Sequence, residues 1–216
     1  MFIGHFALGL AAKRAAPRLS LAPLFAATLL ADILWPVFLL AGLEHVRIDP
    51  GNTRMTPLDF ISYPYSHSLV WLIVWGLAFG WLLRRRDPRA VLVIWALVVS
   101  HWVLDFVTHR PDMPIYPGGA KYGLGLWNWP AGTIGIEIAM YLAGAAIYFS
   151  ATRARDRIGT AATWILLALL LAIYIGDAIA STPPPTVTAI AWVAIAGSVL
   201  FTAWAAWADR HREARP

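Results

Sequence analysis

No cysteine occurs in the chain, which excludes disulfides and thiolate metal ligands and leaves the redox compartment open. Charge is also scarce. Only 13% of the 216 residues are Asp, Glu, Lys or Arg, against about 25% in soluble domains. No internal repeat is visible, which speaks against a solenoid or a duplicated half. The first apolar segment, residues 2–13, runs into Lys13-Arg14 without a small-residue cleavage site. It therefore reads as a retained segment and not a removable signal peptide.

Apolar residues fill the place of charge, at 59% of the chain, and they are gathered into runs near 20 residues long. That length crosses a hydrocarbon core of about 30 Å. Six spans are predicted: 20–43, 66–83, 88–107, 133–151, 160–180 and 186–208. Residues 2–13 are too short to cross alone. The expected fold is all-α, a polytopic membrane bundle of about six transmembrane helices plus a short N-terminal half-helix. It forms one domain over 1–216, with the prospective site in 1–137 and accessory helices in 138–216.

The net charge of +5 would suit nucleic acid if it were a patch, but its distribution excludes that partner. Thirteen of the 17 basic residues fall in four segments: Lys13 to Arg18, Arg84 to Arg89, Arg153 to Arg157 and Arg210 to Arg215. With six spans these segments share one side, as the positive-inside rule requires of the cytoplasmic face. Both termini are thus expected to be cytoplasmic, with 44–65, 108–132 and 181–185 outside.

The loops carry their own signals. In 44–65, Thr56-Pro57-Leu58-Asp59 has the chemistry of a helix start. Glu44, His45 and Asp49 read as ordinary solvated groups, as do Asp156, Asp209 and His211 among the cytoplasmic arginines. The aromatics of 110–132, namely Tyr116, Tyr122, Trp127 and Trp129, suit the headgroup layer. "STPPPT" at 181–186 reads as a rigid turn.

Against this apolar background the stretch "SHWVLDFVTHRPD", 100–112, sets His101, Asp105 and His109 at intervals of four, on one face of a helix. Over eight residues the helix rises about 12 Å. One ion with bonds near 2 Å therefore cannot be held by both histidines, whereas His101 with Asp105, or Asp105 with His109, could share one. Counted from the basic ends of their segments, Asp32, His67, Asp105 and Glu137 lie 14 to 17 residues deep, His101 lies 12 deep and His5 lies 8 deep. Ionisable groups within spans are costly and mark functional sites by default. Neutral imidazole and carboxylate are the ligands of zinc and similar divalent ions when cysteine is absent. Ser66 reads as an N-cap that starts the helix at His67. Asp177 is a further carboxylate at the outer depth. Arg110 and Lys121 stand beside the cluster as binders of an anionic group.

Gly4-His5, Ala31-Asp32, Ser66-His67-Ser68-Leu69 and Ser100-His101-x-x-x-Asp105 occur in the order that resembles a family of bacterial inner-membrane metal-dependent hydrolases. These are the LexA-binding, inner-membrane-associated hydrolase type, distantly similar to zinc-dependent phospholipase C. The resemblance covers roughly 1–132. It implies His5, Asp32, His67, His101 and Asp105 as metal ligands. Where the family pattern carries Pro-Asp-x-Asp this chain has Ala31-Asp32-Ile33-Leu34, so one carboxylate is missing, and His109 and Glu137 are available to stand in. The expected function is hydrolysis of a phosphoester or related bond in a lipid-linked substrate at the outer face of the inner membrane. His109 or Glu137 would be the general base or would orient a metal ligand through a hydrogen bond, and Arg110 and Lys121 would hold the phosphate. A transporter or ion carrier, or a structural protein stapled by a metal, are the other readings of the same cluster.

Overall fold

The structure, a computed structural model, describes residues 1–87, 89–180 and 182–215. The first residue of the predicted span 88–107 and that of the turn 181–186 lie outside the described residues. Eight α-helices are present among those described: α1 (Ile3–Ala15), α2 (Leu21–Thr28), α3 (Leu30–Leu40), α4 (Leu69–Leu83), α5 (Ala90–Thr108), α6 (Pro130–Ala151), α7 (Arg157–Ile179) and α8 (Val187–Arg210). Short antiparallel pairs join them: β1 (His45–Ile48) with β2 (Leu58–Ser62), β3 (Met113–Pro114) with β4 (Lys121–Tyr122), and β5 (Thr152–Ala154) with β6 (Arg212–Ala214).

The helical membrane bundle expected from composition is present, with a different count of spans. Helices α5, α6, α7 and α8 are long and apolar enough to cross, and α2 with α3 forms a fifth candidate bent by 58°. The remaining predicted span, 66–83, becomes a helix of 15 residues, about 22 Å long at 1.5 Å per residue and short of the hydrocarbon thickness. Its expected first residues stay outside the helix. In α3, Pro36 has no N–H for the carbonyl four residues back, which is that of Asp32.

Helix α1 is the centre of the bundle and not a peripheral half-helix. Ile3, Phe6 and Leu10 are fully or almost fully buried against α2, α6 and α7 residues such as Phe25, Tyr141 and Leu170. The approach of α6 depends on a glycine: a Cβ at Gly144 would stand 2.4 Å from the Ala7 carbonyl oxygen.

The basic segments meet at one end of the bundle. Arg89 donates to the Ala15 carbonyl, and β5 pairs with β6. Lys13 Nζ lies 2.7 Å from Asp209 Oδ2. Asp209, read from sequence as a surface group, is buried and also accepts from the Leu21 N–H (3.0 Å) and the Tyr148 hydroxyl (2.9 Å). His211 and Asp156 do form a surface pair at 2.7 Å, and Asp156 caps α7 by accepting from Gly159 N–H.

The helix start predicted at Thr56–Asp59 is instead a turn leading into β2. Thr53 Oγ1 accepts from the Met55 and Thr56 N–H groups and closes the turn. Arg47 and Asp59 then face each other across the ladder, their side chains 2.7 Å apart. Pairing with β1 satisfies more backbone than one helical turn could, and it buries Phe60 beside Val46 and Trp35.

A histidine and carboxylate cluster at one end of the bundle

Five predicted ligands come from three separate helices and a loop. His5 is on α1, Asp32 on the first turn of α3, His67 in the loop before α4, and His101 and Asp105 on α5. All but Asp32 are buried, and Asp32 is partly exposed. The ligand atoms of His5, His101 and Asp105 lie within 4.8 Å of one another, and so do those of Asp32, His67 and His101. His101 belongs to both groups. The His5 and His101 rings stack at 3.9 Å and 4°.

Each proton position follows from the partner's chemistry. His101 Nδ1 lies 2.7 Å from the Thr28 carbonyl oxygen, at the bend between α2 and α3. A carbonyl only accepts, so Nδ1 carries the proton, and in the neutral ring Nε2 is a lone pair. Ser66 Oγ donates to Glu44 Oε2 at 2.6 Å and lies 2.7 Å from His67 Nδ1. With its proton spent on Glu44, the hydroxyl accepts from Nδ1–H, and His67 Nε2 is likewise a lone pair. His109 Nδ1 lies 2.9 Å from Asp112 Oδ1, which also accepts from the Tyr63 hydroxyl at 2.7 Å. The same tautomer results.

These three lone pairs face carboxylate oxygens. Asp105 Oδ2 is 3.1 Å from His101 Nε2, 3.7 Å from His109 Nε2 and 3.9 Å from His67 Nε2. Asp32 Oδ1 is 3.7 Å from His67 Nε2 and 3.8 Å from His101 Nε2. Acceptors so arranged repel one another unless a proton or a metal cation lies between them. In keeping with that, His101 Nε2 is buried without a hydrogen bond. Asp105 Oδ1 differs, since it receives the Met1 amino group at 2.5 Å and lies 3.1 Å from His5 Nε2. Ligand atoms about 2.0–2.2 Å from a tetrahedral ion stand ~3.3–3.6 Å apart, within the range of these separations. The donor set and its spacing thus fit a divalent metal, and the buried His/Asp groups can hold one.

Three details depart from the sequence reading. Helix α5 ends at Thr108 and His109 is extended (φ −67°, ψ 151°). Its ring therefore folds back toward Asp105 and does not continue the stripe. Ser66 is not the N-cap of α4. That position is Ser68, and Ser66 instead links His67 to Glu44. Glu44, read as solvated, is buried and accepts from the Tyr65 and Ser66 N–H groups as well (2.8 Å each). Thr28, Tyr63 and Asp112 escaped the sequence reading, and Ser66 and Glu44 were given other roles in it. Only Asp112, three residues after His109, left a signal in spacing.

Glu137 is buried, and its Oε2 accepts from the Phe2 and Gly4 N–H groups at 2.8 and 3.2 Å. It holds the first turn of α1, whose exposed N–H groups favour a carboxylate, and so places His5. Arg110 pairs with Asp59, and Lys121 Nζ donates to the Ile61 carbonyl at 2.7 Å. Arg110 is partly exposed and Lys121 exposed, and neither lines the mouth of the cluster. Asp177 stands elsewhere, in the wall of a separate cavity.

The cluster opens through a mouth of about 90 Å³, floored by Asp32, His67, Asp105 and His109 and rimmed by Trp35, Phe60 and Trp127. At ~30 Å³ per water it admits a group the size of a few waters. Trp127 is brought to 4.1 Å from His109 by a loop tied to the end of α5, with Leu124 N–H donating to the Phe106 carbonyl and Gly125 N–H to that of His109. Gly123 permits this contact, because a Cβ there would meet the Arg110 carbonyl oxygen at 2.1 Å.

The chain matches the YdjM inner membrane protein family over residues 1–180 and belongs to it. No curated protein and no solved structure shows a significant match. The family accords with a bacterial inner-membrane protein and with the apolar helices described above.

Proposed function

We propose that this member of the YdjM inner membrane protein family is a metal-dependent hydrolase that cleaves a phosphoester or related bond in a lipid-linked substrate. The observation that carries the reading is the convergence of three Nε2 lone pairs on the carboxylate of Asp105. His67, His101, Asp105 and Asp32 would hold the ion, with His5 completing the shell, and zinc suits this set of nitrogen and oxygen ligands best. A divalent ion there supplies Lewis-acid polarisation of a phosphoryl oxygen and acidifies a water.

The chain's own groups do the rest. His109 lies at the mouth with Nε2 unprotonated and its ring oriented by Asp112, positioned to take a proton from an attacking water. Glu137 is occupied by α1 and acts as a positioning group, not as the base. Arg110 and Lys121 supply positive charge for a phosphate, Lys121 having no carboxylate partner among the described residues. The small mouth admits a headgroup while the apolar remainder of the substrate stays in the bilayer. The test is turnover of phospholipids, lipid pyrophosphates and model phosphodiesters by protein of measured metal content. Stoichiometric metal with no turnover on any of them would sink the hydrolase reading. It would favour an ion carrier, a reading that has the bent α2–α3 pair beside the cluster in its support.

Ser66→Ala is expected to weaken divalent-metal binding by about 10- to 100-fold, the usual loss when a ligand's outer hydrogen-bond partner is removed. Competition against a chelating dye measures this, and an unchanged affinity would mean that the Glu44–Ser66–His67 chain does not orient the ligand.

The C-terminus is proposed to be cytoplasmic and the cluster to face outward, because the basic segments share the opposite end of the bundle; the N-terminus, expected from sequence to be cytoplasmic, instead lies in the cluster, where the Met1 amino group meets Asp105. The cysteine-free chain makes the test direct. A single cysteine at 121 should react with an impermeant maleimide applied from outside and one at 155 should not, and the reverse result would invert the topology.

A further inference from the structure

A larger cavity, about 590 Å³, is separate from the His/Asp cluster and shares none of its residues. It is bounded by the turn between β1 and β2, the last turn of α7 and the first turns of α8. Its apolar side is formed by Leu58, Ile190 and Val193, and two opposite charges stand in its wall, Arg54 and Asp177. Among the described residues neither forms an ion pair or a side-chain hydrogen bond. A carboxylate on a membrane helix calls for a compensating cation, and among the described residues none pairs with Asp177.

Two observations identify the occupant. A guanidinium and a carboxylate in one cavity complement a ligand that carries both an anion and a cation. The cavity also opens onto the unpartnered side of α8, where Val193 is 73% exposed and Val199 65%, so the ligand continues into an apolar chain. We propose that the cavity binds the headgroup of a zwitterionic phospholipid with a primary amine, phosphatidylethanolamine being the simplest. Its ammonium lies on Asp177, its phosphate on Arg54 and its acyl chains along α8. A primary ammonium has N–H donors for the carboxylate, which a quaternary ammonium lacks. This site does not depend on the hydrolase reading.

The test is native mass spectrometry of the whole protein, released from bilayer discs containing equal parts phosphatidylethanolamine, phosphatidylcholine and phosphatidylglycerol. The wild type should retain one phosphatidylethanolamine, roughly tenfold or more over the other two, as one charge-assisted hydrogen bond allows. Asp177→Asn should bring phosphatidylethanolamine and phosphatidylcholine to equal retention, and Arg54→Gln should lower all three. His101→Ala, which disables the metal cluster, should leave the preference intact. The proposal is overturned if the wild type shows no preference for the primary amine or prefers phosphatidylglycerol. It is also overturned if Asp177→Asn, with an unchanged melting temperature, retains lipids as the wild type does.

Discussion

Asp105→Asn is expected to lower divalent-metal affinity by at least about a hundredfold, roughly 2.7 kcal/mol, and to abolish hydrolysis. Asp105 is the hub of the cluster: Oδ2 faces His67, His101 and His109, while Oδ1 faces His5 and the Met1 amino group. The amide keeps the carboxylate's shape and removes its charge, so the ion is held weakly. An amide nitrogen at the Oδ2 position also donates to the imidazole lone pairs that otherwise need the cation. The fold should therefore survive, and the melting temperature in the presence of chelator should match that of the wild type. In the wild type, adding metal to 100 times its dissociation constant should raise stability by about 2.7 kcal/mol, and the variant should show no such rise. Elemental analysis of both purified proteins, with paired melting curves, decides the matter. A variant that keeps one ion per chain would refute the assignment of Asp105. One that melts far below the chelated wild type would make the ion a staple between helices.

Asp209→Ala should destabilise the bundle by about 3–5 kcal/mol, the usual cost of removing one partner from a buried pair. Three donors converge on this carboxylate: Lys13 Nζ, the Leu21 N–H and the Tyr148 hydroxyl. Its loss leaves a buried ammonium and two buried donors without acceptors. It also loosens α1 and α2 from α8 at the basic end. Combining Lys13→Met with Asp209→Leu should recover most of the loss, because apolar replacement of both members of a buried pair is often neutral or better. Chemical denaturation in detergent, read by tryptophan fluorescence, measures both variants. If the single and double variants are equally unstable, the packing of Tyr148 and Leu21 matters and the pair does not.

The two acidic residues show how far a one-dimensional reading reaches. Asp105 was legible because it sits in an apolar run at helical spacing from His101, and both features are local. Asp209 has the same chemistry but lies beside arginines in sequence, and nothing local says that Lys13, 196 residues away, turns toward it. Glu44 escaped for the same reason. It lies in a polar loop, and its burial depends on the approach of the Ser66 segment.

Length, hydropathy and the placement of arginine determined from sequence alone that this is a helical membrane protein, because a bilayer imposes its thickness on every span separately. Composition also determined which side chains could bind a metal, since charged groups in apolar runs are costly wherever they fall. Tertiary structure alone decided that His5, Asp32, His67, His101 and Asp105 meet, that His109 turns back after α5 ends, and that Glu44, Ser66, Thr28 and Asp112 fix the ring tautomers. Those are contacts between residues up to about a hundred positions apart in sequence. They depend on close packing at Gly144 and Gly123 and on the bend at Leu29, and packing of that kind is a property of all the helices at once.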